Sequence, residues 1–199
     1  MEVHILVVTF YTRIKEFSYS KNQTMYYVIQ VQTGKEQQTI DDIKNHLNDE
    51  FVCDVFSPYR KELRKFKGEF KEVIVRCFPG YIFVETSDIK RLFKEIYWLP
   101  EFTKILGREG YTDNFVPLDE NESRMIDILY NANSDRTTEI SDIEVVEGDK
   151  IRVLTGPLAN IEGEIKKVNL HKRKVIIEFS LCNRVVEAQV GINIIDKTR

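Results

Sequence analysis

The sequence predicts an α+β protein: an N-terminal α/β sandwich of antiparallel sheet with helices, followed by a small SH3-like β-barrel. Three observations predict it. Up to about residue 130, short runs rich in β-branched and aromatic residues alternate with segments whose apolar residues recur three and four apart. From Val145 onward the apolar period becomes two. Between these regimes, residues 131–141 (NANSDRTTEIS) are almost devoid of apolar side chains, too few to order the segment by burial. We therefore expect an extension over 1–24, a first domain over 25–130, a flexible linker over 131–143 and a second domain over 144–199.

Residues 1–24 read as an upstream extension of a chain whose natural start is Met25, with a flexible extension or an extra strand as the alternative. Ile5 to Phe10 is apolar but short, and it follows Glu2 and His4 instead of a basic region, which argues against a signal peptide. Tyr26 to Val31 reads as a strand closed by Gly34. Ile40, Ile43 and Leu47 mark an amphipathic helix, and Phe51 to Phe56 a second strand ended by Pro58. The basic stretch from Tyr59 to Glu72, with Gly68 inside it, is expected as an exposed hairpin or loop. Val73 to Val75 leads through Phe78, Pro79 and Gly80 into a strand at Tyr81 to Val84. Asp88 is a plausible N-cap for a helix through Leu92, Phe93 and Ile96, ended before Pro100. A short strand over 103–107 and a helix from Asp119 to about Leu129 complete the first domain.

In the second domain, Ile151/Val153, Val175/Ile177/Phe179 and Val186/Ala188/Val190 alternate with polar neighbours, and turn signals fall at Gly156-Pro157, Asn169-Leu170-His171 and Cys182-Asn183. Five short strands in about fifty residues fit a small barrel. Gly163 is read as a bulge in a strand over 161–168.

The formal net charge is −3, but its distribution is uneven. Residues 60–76 hold seven Lys/Arg against three Asp/Glu, and residues 166–184 hold six against one. Such stretches suit nucleic-acid contact at a defined patch, and equally suit solvated faces. No apolar run approaches the roughly 18 residues of a membrane span. Cys53, Cys77 and Cys182 are far apart and form no C-x-x-C pair, so they read as reduced thiols in a cytoplasmic protein. His4, His46 and His171 are scattered, no glycine-rich phosphate cradle occurs, and no nucleophile setting is recognisable. The expectation is a binding protein, not an enzyme, without cofactor or metal. A small phosphate-ester hydrolase on the α/β sheet is the weighed alternative.

Two motifs sharpen this. Phe78-Pro79-Gly80-Tyr81-Ile82-Phe83-Val84, with the Tyr26-Tyr27-Val28 strand and the Thr33-Gly34-Lys35-Glu36 helix start, resembles the N-terminal domain of the NusG family of transcription elongation factors. Gly148-Asp149-Lys150-Ile151-Arg152-Val153 followed by Gly156-Pro157-Leu158-Ala159-Asn160 resembles the family's KOW module. Leu158, together with Lys167 to Lys174, is most similar to the LoaP group of specialised paralogues. That resemblance implies processive antitermination on particular operons and recognition of a hairpin in nascent RNA. It also implies a monomeric partner of the RNA polymerase clamp helices, with another elongation factor or a ribosomal protein as a further partner and no membrane association.

Residue by residue, the resemblance implies a shallow apolar depression for the clamp helices, formed by Phe78, Tyr81 and Phe83 with Ile105 at the rim; core packing is the alternative for each ring. Tyr81 and Phe83 share a strand face, and Ile82 and Val84 point the other way. RNA contact is expected at Lys166, Lys167, His171, Lys172, Arg173, Lys174, Asn183 and Arg184, with phosphates met by the cations and bases by Arg173, Asn183 and Arg184. Where some family members carry an Asn-Thr pair that touches non-template DNA, this chain has Trp98-Leu99. Trp98 reads either as a helix-end anchor into the core or as a stacking platform for an unpaired DNA base. The family's alternative helical state of the C-terminal domain is opposed by the strand alternation from Ile151 to Val190.

Overall fold

The computed structural model describes residues 24–46, 51–106, 115–130, 135–146, 150–182 and 184–195. Of the extension expected over 1–24 only Thr24 is among the described residues, and Asn183 lies outside them. Strands β1 (Met25–Val31), β2 (Val52–Phe56), β5 (Tyr81–Thr86) and β6 (Phe102–Ile105) form a sheet in the order β2-β5-β1-β6. Its ladders are antiparallel, with Val28 opposite Phe83 and Ile29 opposite Ile105. Helices α1 (Glu36–His46) and α2 (Ile89–Ile96) supply Ile40, Ile43, Leu92 and Ile96 to the face of Tyr27, Ile29, Ile82 and Val84. Asp88 caps α2 as expected, its carboxylate accepting from the Arg91 N–H at 3.0 Å.

The opposite face carries Tyr26, Val28, Phe56 and Phe83. It is covered too, by more than the sheet-and-helix sandwich expected from the sequence. These residues belong to one contiguous apolar cluster that runs through helix α3 (Glu120–Tyr130) into the second sheet. A capping box starts α3: Asp119 accepts from the Glu122 N–H at 2.8 Å, and Glu122 accepts from the Asp119 N–H at 3.0 Å.

The basic stretch after Pro58 is a long hairpin, β3 (Tyr59–Phe66) and β4 (Glu69–Arg76), paired along its whole length. Its two-residue turn places Lys67 (φ 49°) and Gly68 (φ 96°) in the left-handed region, the geometry that matches strand twist. Part of the segment expected as flexible linker is strand. β7 (Thr137–Thr138) pairs in parallel with Tyr59 and Arg60, and Ser141 already opens β8 (Ser141–Val146). The physical reason is polar: Thr138 Oγ1 donates to the Leu129 carbonyl at 2.7 Å, and the Tyr59 N–H donates to the Arg136 carbonyl at 3.1 Å.

The second sheet adds β9 (Lys150–Thr155), β10 (Ile165–Asn169), β11 (Lys174–Leu181) and β12 (Arg184–Ile194) in the order β10-β11-β12-β8-β9. β12 turns the corner: residues 184–191 pair with β11, and residues 192–194 pair in parallel with β8. Gly163 sits in the second of two short 3-10 turns, Pro157–Asn160 and Glu162–Glu164, and not in a strand. The strand begins only at Ile165, so the bulge reading at Gly163 fails.

Candidate functional site

The Phe78-Pro79-Gly80 turn aims the aromatic face. Gly80 has φ +83°, and a Cβ on it would lie 2.8 Å from Thr33 Oγ1, so glycine is required there. Its N–H donates to Glu36 Oε1 at 2.6 Å, and its carbonyl accepts from the Val31 N–H at 2.9 Å. Glu36, fully buried at the start of α1, also accepts from the Gly34 N–H and pairs with Arg76, which in turn donates to the Tyr59 hydroxyl at 2.6 Å. Burial alone would raise the Glu36 carboxyl. The N–H donors of Gly80 and Gly34, together with Arg76, outweigh burial and hold it below its ordinary 4.5. One carboxylate thus ties the helix start, the turn and the base of the β3–β4 hairpin.

Phe83 is fully buried, stacked on Phe56 at 5.6 Å between centroids, with Phe78 at 5.7 Å. Phe78 meets Tyr130 of α3 edge-on at 6.2 Å, and Tyr81 packs half-buried on the same cluster. Tyr26 donates to Asp127 of α3 at 3.0 Å, and its hydroxyl is pushed up to about 12, by burial first and Asp127 second. The structure therefore brings Phe78, Tyr81 and Phe83 together, but as a covered face. Ile105 is not with them. It pairs with Ile29 and packs on the α1/α2 side, because directly opposed residues share a face.

The expected RNA residues do not form one patch. Lys166 is engaged: it pairs with Glu178 and, at 3.0 Å, with Glu187. Glu178 and Glu187 are directly opposed in the β11–β12 ladder, so the lysine relieves a like-charge pair. Lys167, His171 and Lys172 are exposed, and the turn is shaped by Asn169, whose side-chain oxygen accepts from the Lys172 N–H at 2.9 Å. Arg173 (φ 51°) lies with its guanidinium 4.9 Å above the Phe70 ring of β4, and Lys174 donates to Gln189 at 3.0 Å. Arg184 is seven ladder positions from Lys174, about 23 Å away, at the other end of the hairpin.

Sequence reasoning missed the contact between the two units. Arg60 of β3 donates to Gln189 Oε1 at 3.2 Å, the acceptor Lys174 also uses. A Cβ on Gly191 would lie 2.4 Å from the Lys61 carbonyl oxygen. The readable signal was Gly191 itself, since a glycine within a strand marks close backbone approach. Arg136, just before β7, donates to Asp54 Oδ2 from two nitrogens (2.9 and 2.6 Å) and lies 4.4 Å from the Phe56 ring centroid. Ser180 of β11 donates to Glu122 of α3 at 3.3 Å.

Trp98 does not anchor the core. It is 80% exposed, edge-on to Tyr97 at 5.1 Å, beyond the packed rings of Phe93, Phe102 and Phe115. Leu158, by contrast, is fully buried, its N–H donating to Ser141 Oγ at 3.1 Å. Among the described residues no cluster of three or more His, Cys, Asp or Glu is arranged to hold a metal. No helix among them is long and apolar enough to cross a membrane.

The chain is similar to the transcription termination/antitermination protein NusG of Staphylococcus carnosus, 24% identical over 176 residues, spanning 86% of this chain and 94% of the relative. The protein of that name from Helicobacter pylori is 25% identical over 177 residues, spanning 86% and 97%. A solved structure described as "Domain interaction in Thermotoga maritima NusG" shares the fold, with a TM-score of 0.54 at 17% identity over 86% of this chain and 96% of the other. A family model described as "Transcription termination factor nusG" matches residues 24–127, which contain the whole sheet, the Phe78-Pro79-Gly80 turn and α3 up to Asp127, and the chain belongs to the NusG family.

Proposed function

We propose that this protein is a transcription termination/antitermination factor that binds RNA polymerase through the aromatic face of its first unit and acts as a specialised, LoaP-like antiterminator. The family membership supports the general role. For the polymerase contact, the supporting observation is the contiguous set Phe78, Tyr81, Phe83, Phe56 and Tyr26 on one sheet face. Aromatic clusters of this kind dominate interface energetics when they receive an apolar partner such as a helix pair. Because Phe83 is fully buried here, clamp helices reach it only after the covering elements move.

The specialised role rests on the exposed cations Lys167 and Lys172 beside Arg173 and Lys174, a basic turn at the end of the second sheet suited to the phosphates of a nascent RNA hairpin. Trp98, exposed where the family's DNA-contacting pair stands, adds a stacking platform for the non-template strand. Read-through of a terminator, with and without the operon's leader RNA, tests the reading: it requires leader-dependent read-through. Equal read-through on both templates would instead favour a general cofactor whose second unit binds a protein, such as an elongation factor or ribosomal protein.

A further inference from the structure

The geometry points to a composite RNA-backbone site that spans both units, formed where the β3–β4 hairpin meets the 170–174 turn, and complete only while the two are docked. The inference rests on the RNA reading above and extends it to residues of the first unit and to a regulatory consequence.

The stacking of Arg173 on Phe70 brings two basic elements side by side. From the hairpin come Arg64, Lys65, Lys67 and Lys71, all exposed; from the turn come exposed Lys172 and half-buried Arg173 and Lys174. Residues 64–72 and 171–174 together hold these seven cations against two acids, Glu69 and Glu72. Glu72 is 3.8 Å from Lys61, and Arg64 is paired with Glu62 at 2.6 Å. Lys65, Lys67, Lys71 and Lys172 have no ion pair among the described residues, unlike Lys166 and Lys61. Docking these elements sets like charges against one another, and Arg173 Nη1 is buried there without a hydrogen-bond partner. A ribose-phosphate backbone crossing both elements relieves that repulsion and offers acceptors on both sides.

Linkage then fixes the sign of the effect. A ligand that contacts both units binds the docked arrangement more tightly and stabilises it. The RNA thus carries a chain whose aromatic face is still covered, and clamp helices must displace the barrel at the high local concentration that tethering provides.

The test uses the full chain and a short RNA hairpin of arbitrary sequence, with affinity measured by fluorescence anisotropy over a salt series. The triple variant Lys65→Gln/Lys67→Gln/Lys71→Gln is expected to flatten the log–log salt slope by about 0.7–0.9 for each phosphate it no longer neutralises. Phe70→Ala, which changes no charge, is expected to weaken binding and flatten the slope in the same direction by unseating the turn. RNA is also expected to slow thiol labelling of Cys182, which packs on the shared cluster near Glu122 of α3. If the hairpin triple variant keeps the wild-type slope while Lys172→Gln/Lys174→Gln flattens it, the composite site is refuted and the turn-only reading stands. If neither set changes the slope, RNA binding at the turn fails as well. Faster Cys182 labelling with RNA refutes the linkage.

Discussion

Replacing Gly191 by alanine tests whether the two units meet in solution as described. The added Cβ would sit 2.4 Å from the Lys61 carbonyl oxygen, 3.1 Å from Glu62 Cα and 3.3 Å from Ile140 Cγ1. The two nearest are backbone atoms of β3, held in its ladder with β4, so they do not yield as a side-chain tip would. Gly191 is not in the left-handed region, so its own strand accepts alanine, and the loss of backbone freedom in the unfolded chain mildly favours it. The strain therefore falls on docking. Overpacking of this kind costs about 1–3 kcal/mol, which lowers the docked-to-undocked ratio about 5- to 150-fold. Thiol labelling of the full chain reads it out: Cys182, half-buried against the shared cluster, should react faster, while exposed Cys53 reports no change. Gly163→Ala is the matched control, since nothing lies within 4 Å of its Cβ. An unchanged Cys182 rate in Gly191→Ala, with the melting transition also unchanged, would refute the β3–β12 contact.

Three further outcomes follow from the geometry. The Glu36 carboxyl is held below 4.5 in the folded chain, so its contribution is complete above the ordinary glutamate value and is lost below it, as pH falls through the depressed folded value. Denaturant midpoints followed down to about pH 3 should fall less steeply in Glu36→Gln, and Glu36→Ala should cost about 3 kcal/mol by stranding Arg76. Trp98→Ala should leave thermal stability within about 0.5 kcal/mol, because the ring is 80% exposed, yet weaken single-stranded DNA binding by about 1–3 kcal/mol if the ring stacks on a base. Arg136→Ala removes both bonds to Asp54 and the Phe56 contact, about 2 kcal/mol, and should speed hydrogen exchange at the Tyr59 N–H, whose acceptor is the Arg136 carbonyl.

What the sequence revealed, and what it hid, divides along a physical line. Alternation names the two faces of a strand, so Phe83 and Ile82 were correctly set on opposite sides, and a short polar side chain before an apolar-periodic run marked the Asp88 cap. Alternation does not say what lies against each face. Phe83 was therefore read as a docking surface, although α3 and the second sheet share its cluster. Ile105 was misplaced because its face depends on which β1 residue it opposes, and its regular pairing with Ile29 sets it on the α1/α2 side.

The linker failed for a different reason, and that reason explains how the two units communicate. A composition argument counts apolar area, and residues 135–141 have little of it. Their order comes instead from backbone pairing of Thr137 and Thr138 with β3, from Thr138 Oγ1 on Leu129, and from Arg136 gripping Asp54 and Phe56. Each of these is a polar contact made to the first unit. The contact between β12 and β3 is likewise polar or backbone-limited: Arg60 and Lys174 converge on Gln189, and Gly191 lies against Lys61. An arrangement held by such contacts at the seam, with its apolar continuity passing through α3, is built to be biased by a charged ligand. Charge at the hairpin and the 170–174 turn, not extra apolar burial, is therefore the lever that sets how long the aromatic face stays covered.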